Sequence, residues 1–131
     1  MLKVLLIEDD MSVQSVLRKL LICFGYAVLT ADDGRQGLRQ YWKYQSSINI
    51  VLCDIEIPFL NGFQLLQQIR LSSSKLPPFA FIAAYVDDNI LWKVAKARAD
   101  CIIKKPVSQE MLKTILIALE MKHKLRSSIY A

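Results

Sequence analysis

Residues 48–62 read INIVLCDIEIPFLNG and indicate the fold class of this chain. An apolar run leads into the carboxylate of Asp54, and Pro58 and Gly62 then supply turn signals. A short apolar run bounded by turns is typical of a strand that is buried on both faces. The pattern therefore places Asp54 at the carboxyl end of a buried strand, which is where open parallel sheets bind their ligands.

The rest of the chain alternates between strand-like and helix-like segments. The strand-like segments are residues 2–7, 27–30, 48–53, 79–83 and 101–103. Each is followed by a segment with helical apolar spacing, and the second of these spans residues 35–44. Because a parallel connection needs a covering crossover helix, this alternation predicts an α/β fold with a parallel sheet.

The apolar spacing also predicts which side of each helix is buried. In the first helix, which Gly25 ends, the predicted buried positions are Val13, Val16, Leu17, Leu20, Leu21 and Phe24. In the fourth helix they are Ile90, Leu91, Val94 and Ala95. Trp42 is predicted to pack against the domain, whereas Trp92 suits an exposed interface as well as it suits packing.

Size and composition favour one folded domain. The chain has 131 residues, of which 53% are hydrophobic and 22% charged, which excludes an intrinsically disordered protein. No apolar run approaches the ~18 residues of a membrane span, and residues 2–7 are too short for a signal peptide. We therefore expect a cytoplasmic protein. Cys23, Cys53 and Cys101 fit neither a disulfide framework nor a zinc pattern, and His123 alone cannot build a histidine-based metal site or triad.

The charges are unevenly distributed along the sequence. The net charge is +5, and five of the 12 acidic residues lie in or beside two strand ends: Glu8, Asp9, Asp10, Asp54 and Glu56. The remaining surface is therefore predicted to be basic. Such a surface suits an acidic protein, nucleic acid or anionic lipid, although plain solubility explains it equally well.

Ionisable groups follow three of the predicted strands. Glu8 and Asp9 follow the first strand, Asp54 the third, and Lys105 the fifth. If the sheet order brings these strands together, three carboxylates and one ammonium converge, and clustered carboxylates favour a hard cation such as Mg²⁺. Such a pocket suits transfer of a phosphoryl group to Asp54, with Lys105 balancing negative charge. A purely structural salt-bridge cluster is the alternative.

Taken in order, these residues resemble the receiver domain of two-component response regulators. The resemblance rests on three motifs: Glu8-Asp9 after the first strand, Asp54 with Pro58 and Gly62 downstream, and Lys105-Pro106 after the fifth strand. It runs from residue 2 to about residue 119. We therefore predict a receiver domain over residues 1–121, and we expect residues 122–131 to be a fraying basic end or the start of a linker.

The resemblance implies a flavodoxin-like fold with strand order 2-1-3-4-5 and five helices distributed over both faces of the sheet. It implies that Asp54 is the phosphoacceptor. Glu8 and Asp9 are the implied Mg²⁺ ligands beside Asp54, and the backbone carbonyl of Glu56 completes the set. Lys105 is implied to contact the phosphoryl oxygens, and its bond to the following proline is expected to be cis. The implied donor is a phosphohistidine on a histidine kinase or phosphotransfer protein, and the chain catalyses at most its own phosphorylation and dephosphorylation.

Two positions depart from the family's switch. Ala83 ends the fourth strand, where the family usually has a Ser or Thr hydroxyl that bonds the phosphoryl group. The loss of a hydrogen bond to a charged acceptor removes roughly 1.5–3 kcal/mol. Ile102 takes the place of the usual aromatic on the fifth strand, and a β-branched aliphatic is expected to stay fixed in packing. Tyr85 either offers a substitute hydroxyl or simply covers the loop.

A third departure is Arg98, which stands where the family usually has glycine at the end of the fourth helix. Because glycine there fits a positive φ, Arg98 predicts either an altered geometry or a cation that faces a partner. With Lys93 and Lys96 it forms a candidate surface for a downstream protein. Two functions follow. The chain is either a receiver that accepts a phosphoryl group on Asp54 and switches atypically, or a pseudo-receiver that acts as a phosphorylation-independent interaction module. We expect no direct nucleic-acid binding by this domain.

Overall fold

A computed structural model describes residues 1–73 and 75–130. The strands are β1 Lys3–Ile7, β2 Ala27–Ala31, β3 Ile50–Asp54, β4 Phe79–Ala83 and β5 Cys101–Lys104. The helices are α1 Met11–Cys23, α2 Gly34–Tyr44, α3 Gly62–Ser72, α4 Asp88–Ala97 and α5 Gln109–Tyr130. Within the described residues, no helix is both long enough and apolar enough to cross a lipid bilayer.

The five strands form one parallel sheet in the order β2-β1-β3-β4-β5, which confirms the predicted topology. The register aligns Ile7 at the end of β1 with Cys53 in β3, and Asp54 with Ile82 in β4. Ala83 pairs with Lys104 at the end of β5. The residues that follow β1, β3 and β5 are therefore held at one edge of the sheet.

Alternate strand residues supply two hydrophobic cores, one on each face of the sheet. On β3, Val51 and Cys53 pack with α2, α3 and α4, whereas Ile50 and Leu52 pack with α1 and α5. All five residues of β3 are buried, as the apolar run before Asp54 predicts. Complete burial of a side chain such as Leu52 stabilises the fold by about 1.5–3 kcal/mol, so this central strand is a rigid base for the groups at its end.

Helix ends are fixed by short polar side chains and by backbone geometry. The Asp10, Asp33 and Asp87 side chains accept hydrogen bonds from the first backbone N–H groups of α1, α2 and α4. Asn61 forms a capping box with Gln64 at the start of α3. These caps fix the first turn of each of these helices near the sheet edge that holds the residues following β1, β3 and β5.

Some positions predicted to be buried are exposed. Val16 on α1 is 57% exposed and Leu91 on α4 is 47% exposed, and Ala95 also faces solvent. Each helix contacts the sheet along a narrower stripe than its apolar spacing suggests, because only Leu17 and Leu21 of α1, and only Val94 of α4, are fully buried. Trp42 is likewise exposed, although its indole Nε1–H donates to Ser72 Oγ at 2.8 Å.

The helix α5 continues well beyond the predicted end of the domain. The prediction that this end frays is wrong for residues 122–128, because helix α5 runs through them; its alternative, the start of a linker, stays a prediction. The side chains of Lys122, His123 and Arg126 contact the domain. Arg126 Nη2 lies 2.5 Å from Asp100 Oδ1, and Lys122 Nζ lies 3.3 Å from the same oxygen. The Asp100 carboxylate is nearly buried before β5 and is stabilised there by these cations. Residue 131 lies outside the described residues.

Candidate functional site

Three strand ends bring the predicted ionisable groups together. Glu8 follows β1 directly, Asp54 is the last residue of β3, and Lys105 follows β5. Lys105 Nζ lies 2.6 Å from Glu8 Oε1 and 2.6 Å from Asp54 Oδ2. The predicted convergence of these groups is therefore present in the structure.

Both carboxylates at the centre of the site are shielded from solvent. Glu8 is 0% exposed and Asp54 is 3% exposed. The Glu56 backbone N–H donates to Asp54 Oδ1 at 3.0 Å, and the Lys105 backbone N–H donates to the Ala83 carbonyl at 2.8 Å. The Lys105-Pro106 peptide bond is cis, as expected. The backbone thus fixes Asp54 from one side and the base of the Lys105 side chain from the other.

Burial and crowding shift the titration of these groups. Burial, followed by the nearby Asp54 carboxylate, raises the pKa of Glu8 from 4.5 to about 7, although Lys105 opposes this rise. Partial burial lowers the pKa of Lys105, but its contacts with Asp54 and Glu8 outweigh burial and hold that pKa above its ordinary value. The ammonium is therefore charged at neutral pH, whereas Glu8 exchanges its proton near neutrality.

Cys53, one residue before Asp54, is fully buried. Burial raises the pKa of its thiol well above the ordinary value, and the charges of Asp54 and Glu8 add to this effect. Its Sγ donates to the Asp54 carbonyl at 3.2 Å. A protonated, enclosed thiol is unreactive, so Cys53 belongs to the supporting core rather than to the chemistry.

The carboxylates offer a site that fits a divalent metal ion. Oxygen atoms of Glu8, Asp9 and Asp54 lie within 4.8 Å of one another. Glu8 Oε1 is buried, and its 2.6 Å contact with Lys105 is an ion pair without the alignment of a hydrogen bond. An incompletely satisfied buried carboxylate among other oxygen donors suits a hard cation such as Mg²⁺. Participation of the Glu56 carbonyl stays a prediction.

The two positions predicted to depart from the family's switch lie on β4 and β5. Ala83 is buried at the end of β4 and carries only a methyl group there. Ile102 on β5 is partly buried and packs against the core on the α2, α3 and α4 side. Tyr85, two residues beyond Ala83, is exposed. Aliphatic side chains thus occupy both positions at which the resemblance implies a hydroxyl and an aromatic ring.

Arg98 keeps the backbone conformation that glycine would favour. Its φ of 57° and ψ of 39° are left-handed, and its N–H donates to the Ala95 carbonyl at 3.0 Å. The prediction of an altered geometry is therefore wrong, because the turn is retained despite the side chain. Its second part, a cation that faces a partner, stays a prediction. The Arg98 side chain is exposed beside the predicted neighbours Lys93 and Lys96, which are also exposed.

Two side chains that hold the surroundings of the site in place were not predicted from the sequence. Gln14 Nε2 on α1 donates to the Glu8 carbonyl at 2.9 Å and to Asp32 Oδ1 at 2.9 Å, so it joins the ends of β1 and β2. Arg70 Nη2 on α3 donates to the carbonyls of Ala97 and Arg98, each at 2.9 Å. A polar residue among apolar helix positions is the only sequence signal for Gln14. Nothing local in the sequence points to the long-range contact of Arg70.

Comparison with known proteins agrees with this fold. The chain matches the family model described as response regulator receiver domain over residues 4–117. It is 30% identical over 133 residues to the transcriptional regulatory protein RprY of Bacteroides fragilis, with 98% of this chain and 55% of RprY covered. It is 32% identical over 116 residues to YrkP, an uncharacterized transcriptional regulatory protein of Bacillus subtilis, with 88% of this chain and 48% of YrkP covered. The chain thus spans about half the length of these curated relatives.

A solved structure gives the same result. The chemotaxis protein CheY4 of Vibrio cholerae superposes with a TM-score of 0.84 at 26% sequence identity, with 91% of this chain and 98% of CheY4 covered. The likeness extends over the sheet and the helices on both of its faces. Fold, sequence and the ordered set of strand-end residues agree, and the chain belongs to the receiver domain family of two-component response regulators.

Proposed function

We propose that this receiver domain accepts a phosphoryl group on Asp54 from a phosphohistidine of a histidine kinase or phosphotransfer protein. One observation carries the proposal. The buried Asp54 carboxylate is held by Lys105 Nζ on one oxygen and by the Glu56 N–H on the other, at a strand end that it shares with Glu8. Receiver domains as a family use such partners, and this chain retains the acid and the ammonium that the transfer needs.

In the proposed reaction, a carboxylate oxygen of Asp54 attacks the phosphorus atom of the donor. The new O–P bond forms as the P–N bond breaks, and the electron pair of that bond returns to the imidazole of the donor. Lys105 is positioned to pair with the added negative charge, since its ammonium already contacts Asp54. Glu8, Asp9 and Asp54 would hold Mg²⁺, which would supply further positive charge beside the transferred group.

Intact-mass analysis tests this proposal. The protein is incubated with Mg²⁺ and acetyl phosphate, and the mass of one phosphoryl group is expected on the wild type but not on Asp54→Ala. Lys105→Met is expected to bind Mg²⁺ and to accept the group at least about tenfold more slowly, because the contact with the developing charge is lost. Equal labelling of wild type and Asp54→Ala places the acceptor elsewhere and refutes the assignment.

A second candidate function rests on Ala83 and Ile102. The buried methyl group of Ala83 offers no hydrogen bond to a phosphoryl group, so phosphorylation supplies less free energy to any conformational change. The domain then acts as an interaction module whose partner binds with or without phosphorylation. Ala83→Ser separates the two functions. Under the first, the serine variant shows larger backbone amide shifts at β4 and β5 on phosphorylation than the wild type does. Under the second, neither protein shows such shifts.

A further inference from the structure

We propose that the groove between α3 and α4 binds a short acidic peptide segment of a partner protein. The groove has a volume of about 480 Å³. Ten described residues line it, of which four are basic, three carry side-chain amides and none is acidic. This inference gives the chemistry of the interaction partner and does not depend on phosphorylation of Asp54.

The positive charge along α4 is not neutralised by the domain itself. Lys93, Lys96 and Arg98 are exposed, and none of them forms an ion pair with any carboxylate in residues 1–73 or 75–130. The nearest acidic residues in the sequence are Asp88, in the first turn of α4, and Asp100, whose carboxylate is already paired with cations of α5. The three side chains therefore present uncompensated charge that a carboxylate-bearing ligand would complement.

Arg70 shapes the same groove from the α3 side. Its guanidinium donates to the Ala97 and Arg98 carbonyls at the end of α4, each at 2.9 Å. These carbonyls form the negative end of the helix dipole, which would otherwise repel an anion. Burial lowers the pKa of Arg70 and the neighbouring positive charge of Arg98 lowers it further, although the Asp100 carboxylate opposes this. The end of α4 is thus electropositive in spite of its carbonyl groups.

The shape of the groove favours a peptide over nucleic acid. Asn61, Gln64 and Gln67 line the α3 side, and their amides can both donate to and accept from a peptide backbone. The ten residues of α4 span about 15 Å, which matches an extended segment of about four or five residues. Specific nucleic-acid interfaces bury roughly 1,000–2,500 Å² and need basic residues over a wider surface.

Trp92 extends this surface beyond the charged groups. Its ring is 60% exposed, and Lys96 Nζ lies 4.8 Å from the ring centroid. Phe63 contributes an apolar wall inside the groove. Because exposed tryptophans often anchor interfaces, we expect the acidic segment to carry an apolar or aromatic side chain next to its carboxylates.

Fluorescence anisotropy with the unphosphorylated protein tests the inference. The probe is a fluorescein-labelled peptide of about eight residues, composed of Glu and Asp around one Phe. The charge-reversal variant is Lys93→Glu with Lys96→Glu. Its matched control is Arg18→Glu with Lys19→Glu, which makes the same change of net charge at exposed positions of α1, on the opposite face of the sheet. Thermal unfolding of both variants verifies that they fold.

We expect the acidic peptide to bind the wild type and the α1 variant alike, and to bind the α4 variant at least about tenfold more weakly. A peptide with Gln and Asn in place of Glu and Asp should not bind. Equal weakening by both variants overturns the inference, because the attraction is then a general effect of net charge. Absence of peptide binding also overturns it. So does binding of duplex DNA or phosphatidylserine vesicles at the α4 surface in preference to the peptide.

Discussion

The raised pKa of Glu8 predicts a specific dependence of stability on pH. In the folded protein this carboxyl binds its proton up to a pH of about 7, whereas in the unfolded chain it releases the proton near pH 4.5. Between these values the folded state binds more protons than the unfolded state, so its stability falls as the pH rises. The contribution of Glu8 is fully favourable below pH 4.5 and is lost as the pH passes through about 7.

The size of this pH-dependent change in stability follows from the difference between the pKa values of Glu8 in the folded and unfolded states. A rise from 4.5 to about 7 corresponds to at most about 3 kcal/mol of unfolding free energy, and Glu8 is fully shielded from solvent. Glu8→Gln removes the titration and leaves a group of the same size. In the wild type the Asp10 backbone N–H donates to Glu8 Oε2, with 3.3 Å between the two heavy atoms. The side-chain oxygen of the glutamine is expected to accept the same hydrogen bond.

Urea unfolding of both proteins between pH 5 and pH 8, without divalent metal ions, measures this dependence. We expect the free energy of unfolding of the wild type to fall relative to Glu8→Gln by up to about 3 kcal/mol across that interval. Any constant cost of the substitution cancels, because only the two slopes are compared. Parallel pH profiles refute the reasoning, since they show that Glu8 ionises alike in the folded and unfolded states.

Three further predictions concern the surroundings of the site. Arg98→Gly should stabilise the protein by up to ~1 kcal/mol, because a left-handed conformation costs an L-residue roughly 1–2 kcal/mol and the entropy of glycine returns part of this. Arg98→Ala keeps the left-handed strain and should not be stabilised in this way. Equal melting temperatures of the Gly and Ala variants therefore contradict the explanation by strain. Asp100→Asn should destabilise the protein by roughly 1–3 kcal/mol and speed amide exchange over residues 122–128, since it weakens the ion pairs that hold α5. Unchanged exchange there means that α5 is held by its other contacts. In the native protein, iodoacetamide should modify exposed Cys23 at least about a hundredfold faster than buried Cys53, and comparable rates contradict the assigned enclosure of Cys53.

The strand framework and the central site could be predicted from the sequence because both follow from local patterns. The apolar run before Asp54 buries β3 on both faces, and parallel strands bring their carboxyl ends to one edge. Once the order of the strands is known, the meeting of Glu8, Asp54 and Lys105 follows. The distances between these groups and the raised pKa of Glu8 cannot be predicted in this way, because both depend on how completely the neighbouring side chains exclude water.

The wrong predictions share one physical cause. Each concerns a feature that is determined by packing between segments that are distant in the sequence. The apolar spacing of α1 includes Val16, but the crossing of the helix over the sheet decides which stripe is covered. The end of α5 looks like a solvated basic tail, yet Asp100 provides a partner 26 residues before Arg126. Arg98 adopts a turn suited to glycine while Arg70 holds the carbonyl groups at that turn.

Chemical localisation of the phosphoryl group tests the central proposal most directly. An acyl phosphate on an aspartate is reduced by borohydride to homoserine, which peptide mass spectrometry identifies by position. After incubation with Mg²⁺ and acetyl phosphate, we predict homoserine at residue 54 and none at Asp9 or Asp10, because only Asp54 is held by Lys105 and the Glu56 N–H. Homoserine at another position, or phosphorylated protein that yields no homoserine, contradicts the assignment of Asp54 as the phosphoacceptor.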